Sequence, residues 1–154
     1  MVTAAPVTRR LRFLSAEHVI ALHDTVLRES GGLAGSGHRG PAYEGVDAAV
    51  QAVKNSYYDT LHELAAAYAV YIVQGYVFAD GNKRTGLAAM LTFLEANGAS
   101  SMLPDDRLAT LMIDLQRRAE AGEDISRLVR SIAVELVSGR RARRTRSKRG
   151  SRRL

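Results

Sequence analysis

The chain has 154 residues, of which 46% are hydrophobic, and a formal net charge of +6. This length predicts one compact domain with a core and excludes two such domains. The absence of cysteine excludes disulfides and thiolate chemistry, and the four histidines lack the spacing of zinc ligands. No apolar run approaches the roughly 20 residues that cross a bilayer, and no secretory signal is recognisable. We therefore expect a cytoplasmic protein without membrane contact.

The positive charge is concentrated at one end of the sequence. Nine of the 22 Lys and Arg residues lie between Arg140 and Arg153, and the other 13 are outnumbered by 16 Asp and Glu. Such a run either contacts nucleic acid or anionic lipid weakly through phosphates or is a solvated, disordered end, and it has no interleaved aromatic residues to stack on bases. The predicted organisation is a lead at 1–12, a folded domain at 13–138 and a basic, disordered tail at 139–154.

Helical periodicity dominates the pattern of apolar residues. Ser15 is a suitable N-cap for a first helix that ends before Gly31. Six glycines and Pro41 lie within 31–45 and predict a long surface loop. No stretch alternates with period two, so the predicted fold is all-α, a compact bundle of six or seven helices, with at most a short hairpin or extended piece at 39–45 or 99–103. The further helices are predicted at 46–57, 60–76, 83–96, 105–121 and 125–137.

The helix predicted at 60–76 is apolar on nearly all sides after Glu63, which is typical of a central, buried helix. The segment 77–82 then breaks the pattern before the next helix begins. It ends in Asp80-Gly81-Asn82, followed at once by Lys83 and Arg84.

This charged helix start predicts a phosphate-binding site. The first N–H groups of a helix have no partner within it, and they lie at the positive end of the helix dipole. Lys83 and Arg84 add two cations beside those donors. Asp80 is a candidate ligand for Mg²⁺, and Gly81 lets the backbone approach a ligand closely. A solvated helix cap is the alternative interpretation of the same pattern.

The segment from Tyr76 to Thr85 resembles the Fic/DOC family motif H-x-F-x-[D/E]-[G/A]-N-[K/G]-R-T. Seven positions match in register: Phe78, Asp80, Gly81, Asn82, Lys83, Arg84 and Thr85. The helix around Leu14–Asp24, followed by Gly31-Gly32-Leu33, and the helix end Phe93–Gly98 are similar to the Doc (death-on-curing) branch of the family. The resemblance covers about residues 13–138 and implies the family's all-helical fold.

The resemblance also implies a transferase that uses ATP and Mg²⁺. Most Fic proteins transfer AMP to a protein hydroxyl and carry Gly after the motif Asn and a second Arg further on. Lys83 and Leu87 stand at those places, as in the Doc branch, whose toxin phosphorylates elongation factor Tu. Protein phosphotransfer is therefore favoured over adenylylation, with Asp80 holding the metal. The implied nucleotide-binding residues are Gly81, Asn82, Lys83, Arg84 and Thr85. Asn82 is also expected to brace the loop, and Phe78 to anchor the motif in the core.

Tyr76 departs from the family because the motif places its catalytic histidine there. A phenol, whose ordinary pKa is about 10, is ionised only about one part in a thousand at neutral pH, so it is a poor general base. We expect the chain to be inactive or impaired. Tyr76 fits an introduced detoxifying substitution as well as a natural pseudoenzyme. His23, His38 and His62 show no spacing that makes any of them a replacement base.

Partners follow from the resemblance alone. A Doc-like toxin acts on a translation factor and is neutralised by an antitoxin that binds as a helix in a groove. The sequence lacks a convincing self-inhibitory segment of the form [S/T]-x-x-x-E-[G/N], which agrees with inhibition by a separate protein. Two other functions remain open: a non-catalytic module that binds nucleotide or antitoxin, and a nucleic-acid-binding protein that acts through the tail.

Overall fold

The computed structural model describes residues 10–30 and 41–139, which form six helices and no strand. The all-α bundle predicted from the sequence is confirmed over these residues. None of their helices is both long enough and apolar enough to span a membrane. The helices are α1 (Ala16–Ser30), α2 (Pro41–Lys54), α3 (Leu61–Gly75), α4 (Asn82–Ala96), α5 (Asp105–Glu120) and α6 (Ile125–Ser138).

The second helix begins earlier than the sequence pattern predicted. Residues 41–45 belong to α2, so the loop prediction is wrong there, and 31–40 lie outside the described residues. Pro41 occupies the first helical position, where its missing N–H would have had no helical partner in any case. Gly45 brings α2 close to the segment after α3, since a Cβ at Gly45 would lie 3.6 Å from the side chain of Val77.

The segments at 99–103 and around Tyr57 contain no further regular structure. The chain at 99–103 is irregular and forms no strand, and 41–45 is helical, so neither position holds a hairpin in the described part of the chain. The helix predicted at 46–57 ends earlier, at Lys54, so Tyr57 lies beyond it with its side chain fully exposed. Of the predicted lead and tail, residues 1–9 and 140–154 lie outside the described residues.

Helix α3 is the centre of the bundle, as its apolar sequence predicted. Every residue from Leu64 to Val70 is buried, and α3 packs against α2, α4, α5 and α6. Thr60 caps the helix, its hydroxyl accepting the Glu63 N–H at 3.1 Å. The end of this rigid helix therefore fixes where the following loop starts.

Gly86 allows α3, α4 and α5 to meet closely. A Cβ at this position would lie 3.3 Å from side-chain atoms of both Met112 and Val73 and 3.4 Å from the Cα of Ala69. Such distances are at the lower limit of ordinary packing, so a larger residue would push the helices apart. The first turn of α4 is consequently held beside α5.

The segment before α1 is attached to the core by two polar side chains. Tyr68 of α3 accepts the Leu14 N–H at 2.9 Å through its hydroxyl oxygen. Asn97 accepts the Arg12 N–H at 2.9 Å and donates to the Arg12 carbonyl at 3.1 Å. Burial raises the pKa of Tyr68 to about 12.

We predict that Tyr68→Phe destabilises the fold by about 1–3 kcal/mol, because the buried Leu14 N–H loses its acceptor. Urea unfolding measures the change in free energy. Tyr58→Phe is the matched control: its hydroxyl bonds Ser126 at 3.1 Å in a half-buried place, so we expect a smaller loss. An equal loss in both variants would contradict the claim that the Tyr68 hydroxyl stabilises the fold by accepting the Leu14 N–H.

The same tyrosine predicts a loss of stability at high pH. The unfolded phenol ionises at a pKa of about 10, whereas the folded one ionises at about 12. Between these values the unfolded state releases the proton first, so stability falls as pH rises above about 10. The Tyr68→Phe variant should lack this part of the decline, and unfolding curves at a series of alkaline pH values measure the difference between the two proteins.

Candidate phosphate-binding site

The motif loop begins with an unusual backbone conformation. Helix α3 ends at Gly75, and Tyr76 follows with φ 49° and ψ 49°, the left-handed region. It is the one non-glycine residue with positive φ among those that the structure describes. Asn, Asp and His adopt this conformation several times more readily than other non-glycine residues, so a tyrosine here is strained where the family's histidine is better tolerated. The turn directs the chain back toward the core at Phe78.

Asn82 closes the loop by bonding both backbone groups of Phe78. Its Oδ1 accepts the Phe78 N–H at 3.0 Å, and its Nδ2 donates to the Phe78 carbonyl at 2.8 Å. Phe78 itself is 3% exposed. The predicted roles of Phe78 as a core anchor and of Asn82 as a brace are both confirmed by these contacts.

His23 of α1 holds the other side of the loop. Its ring stacks on Phe78 with centroids 3.7 Å apart and an angle of 4° between the planes. Its Nε2–H donates to the Asp80 carbonyl at 2.9 Å, while Nδ1 is buried without a hydrogen-bond partner among the described residues. His23 is fully buried, so it is a core histidine rather than a base facing solvent. No local sequence pattern predicts this contact, because His23 and Asp80 are 57 positions apart.

A cavity of about 380 Å³ opens at the start of α4. Gly81 precedes the helix with φ 82° and supplies no side-chain cap, which leaves the first N–H groups of α4 without a side-chain acceptor. The cavity has a polar end and an apolar wall. Its lining residues are Asp80, Gly81, Asn82, Lys83, Arg84, Leu87, Ala109, Met112 and Ile113.

The polar end of the cavity combines two exposed cations with one half-exposed carboxylate. Lys83 and Arg84 project from the first turn of α4, and Asp80 lies at the rim. The described residues contain no group of three His, Cys, Asp or Glu side chains that would enclose a metal. A single carboxylate beside a phosphate site fits Mg²⁺, which is commonly held by one or two carboxylates, phosphate oxygens and water.

Two of the predicted site residues lie away from the cavity. Thr85 is fully buried on the inner side of α4, so its hydroxyl is not available to a ligand there. Tyr76 is 62% exposed and is not part of the lining. Its hydroxyl donates to Oε2 of Glu120 at 3.2 Å. The structure thus gathers Asp80, Gly81, Asn82, Lys83 and Arg84 around one space and places Tyr76 and Thr85 outside it.

Helix α5 supplies contacts that the sequence did not predict. Lys83 Nζ donates to Oε1 of Gln116 at 2.6 Å, and Gln116 Nε2 donates to Oε2 of Glu120 at 3.0 Å. Gln116 lies 33 positions after Lys83, and Glu120 lies further still, so no local spacing pointed to them.

The fold and site define a helical domain with a pocket lined by two cations at a helix start, and the comparisons give its family. Residues 13–94 match the Fic/DOC family. The chain is also similar to the "Protein kinase doc" of Escherichia phage P1, with 42% identity over 89 residues, which are 57% of this chain and 70% of that protein. This chain belongs to the Fic/DOC family, as its motif indicated.

We predict that His23→Leu loosens the motif loop. The Asp80 carbonyl loses its donor, a loss of about 1–3 kcal/mol, and the amides of 78–83 should exchange hydrogen faster. Native-state hydrogen exchange read by NMR measures the effect. His62→Leu is the matched control, because His62 Nε2 bonds a backbone carbonyl at the same 2.9 Å, that of Ser100, away from the motif. Faster exchange at 78–83 in the control as well would contradict a specific role for His23.

Proposed function

We propose that the chain is a Doc-like transferase scaffold that binds Mg-ATP and serves phosphotransfer to a hydroxyl of a protein target. The observation that carries the proposal is the pocket at the start of α4, where Lys83 and Arg84 flank uncapped backbone N–H groups. Such a place suits a nucleotide phosphate on physical grounds alone. Membership of the family adds the expectation of transferase chemistry.

Each residue of the pocket has a different role in binding a phosphate group. Lys83 and Arg84 hold phosphate oxygens and offset charge that develops during transfer. Asn82 keeps the loop in shape through its bonds to Phe78. Asp80 would hold Mg²⁺, which when bound neutralises phosphate charge. The apolar wall formed by Leu87, Met112 and Ile113 excludes water from one side of the cavity.

Transfer of the γ-phosphoryl group is favoured over transfer of AMP. Lys83 occupies the place after Asn82 where adenylylating relatives have Gly, and its ammonium donates a hydrogen bond to Gln116 of α5. Leu87 stands where those relatives have a second Arg, and it forms part of the apolar wall. The pocket therefore has two cations, Lys83 and Arg84, among its lining residues.

Tyr76 makes the scaffold impaired. A base must take the proton of the target hydroxyl, and loss of a well-placed base lowers the rate by about a hundred- to ten-thousand-fold. The Tyr76 hydroxyl is turned toward Glu120 and is not part of the cavity lining. The same observation favours a second candidate function, a non-catalytic protein that still binds nucleotide or an antitoxin.

We infer the biological setting from family membership. In this proposal the chain is the toxin of a toxin-antitoxin module in the cytoplasm, its target is a translation factor such as elongation factor Tu, and an antitoxin neutralises it by binding as a helix in a groove. Any contact of the tail between Arg140 and Arg153 with nucleic acid is weak and would decrease with salt.

We predict that Tyr76→His restores transfer. The histidine supplies a base that is deprotonated near neutral pH and suits the left-handed backbone at this position, so activity should rise by about a hundredfold or more. The measurement is label transfer from γ-labelled and from α-labelled ATP, with Mg²⁺ and a bacterial lysate enriched in translation factors. Only the γ label is expected to move.

The control for this experiment is the double variant Tyr76→His with Lys83→Met, which keeps the base and removes one phosphate contact. It should transfer little label. Movement of the α label would show an adenylyltransferase and contradict the argument from Lys83. Equal transfer by the unchanged chain would contradict the claim that the phenol cannot serve as the base.

A further inference from the structure

Helix α5 lies outside the segment that matches the family, yet one of its faces is directed at the motif. Ala109, Met112 and Ile113 form part of the cavity wall. Gln116 and Glu120 continue the same face, since residues three, four and seven positions apart on a helix lie on one side. The two polar residues therefore stand beside the polar end of the cavity.

A continuous chain of hydrogen bonds runs through these two side chains. Lys83 donates to Gln116 at 2.6 Å, Gln116 donates to Glu120 at 3.0 Å, and the Tyr76 hydroxyl donates to the same Glu120 oxygen at 3.2 Å. The chain joins the first turn of α4 to the residue that caps α3. Both ends are motif positions, and both links belong to α5.

The chemical types of the two residues matter for the charge of the pocket. Gln116 is a neutral acceptor, so it restrains Lys83 without cancelling the positive charge that a phosphate would meet. A carboxylate at position 116 would form an ion pair with Lys83 and compete with the ligand. The carboxylate stands one side chain further away, at Glu120. The hydrogen bond from Gln116 is the largest cause that lowers the pKa of Glu120, followed by the hydrogen bond from Tyr76, and the nearby charge of Lys83 also lowers it. Glu120 is therefore ionised at neutral pH.

We propose that Gln116 and Glu120 are positioning residues of the site: Gln116 orients the Lys83 ammonium toward a bound phosphate, and Glu120 holds the Tyr76 hydroxyl outside the cavity. This proposal rests on the proposed function. A lysine side chain loses much rotational freedom when it binds an anion, and a restraint already present in the free protein reduces that loss. Glu120 also repels phosphate, so the two residues act on affinity in opposite directions.

The first test measures how Gln116 affects the environment of Lys83 in the absence of a nucleotide. The sequence has three lysines, Lys54, Lys83 and Lys148, and reductive methylation with carbon-13 gives each an NMR signal. In Gln116→Leu the Lys83 signal should shift and the Lys54 signal should stay. Gln51→Leu is the matched control, because Gln51 is an exposed carboxamide on α2. An unchanged Lys83 signal in Gln116→Leu would overturn the proposal.

The second test is calorimetric titration of the full chain with Mg-ATP. Gln116→Leu should weaken binding by about tenfold, as expected for loss of a hydrogen bond to a charged group. Glu120→Gln keeps an oxygen for Tyr76 but removes the charge, so binding should tighten by about two- to fivefold. Gln51→Leu should bind as the unchanged chain does, and all variants should melt at similar temperatures.

Effects of the same sign in both α5 variants would overturn the proposal, because a merely structural loss weakens binding in each. The proposed function fails in a different way, if the unchanged chain does not bind Mg-ATP at all. The Lys83 signal still decides in that case whether Gln116 orients the lysine, so the two failures are read from separate measurements.

Discussion

The site depends on the way in which one short loop is held between α3 and α4. Asn82 bonds both backbone groups of Phe78, and His23 bonds the Asp80 carbonyl while stacking on the Phe78 ring. Because these contacts come from two different helices, the loop is restrained on both sides. Asp80 and the first turn of α4 are therefore fixed relative to each other before any ligand arrives, which is the condition for an effective anion site.

The second constraint is the distribution of charge around that loop. Lys83 and Arg84 are exposed, and the side chain that contacts Lys83 is the neutral Gln116. Glu120, the acid in this network, forms its hydrogen bond with Gln116. An ion pair at Lys83 would have reduced the field that a phosphate meets. The arrangement keeps the positive end of α4 available and places the nearest network carboxylate beside Tyr76 instead.

Much of the fold was predictable from the sequence because its signals are local. The apolar run of α3 predicted a buried helix, and the motif letters predicted the Asn82 brace and the Phe78 anchor. The start of α2 was missed because glycine content outweighed the favourable first position of Pro41. Thr85 matches the residue type of the motif, but its side chain is buried in the core and does not line the cavity. His23, Gln116 and Glu120 were missed because their link to the motif is made by packing over long sequence distances, which leaves no spacing to recognise.

The start of α4 is proposed to bind a nucleotide phosphate. The most direct measurement is the amide NMR spectrum of the full chain, labelled with nitrogen-15, during titration with Mg-ATP. The largest shifts are expected at Gly81, Asn82, Lys83 and Arg84, with smaller ones on the facing part of α5. Shifts confined to other helices or to the basic tail, or no shifts at all, would contradict phosphate binding at the start of α4.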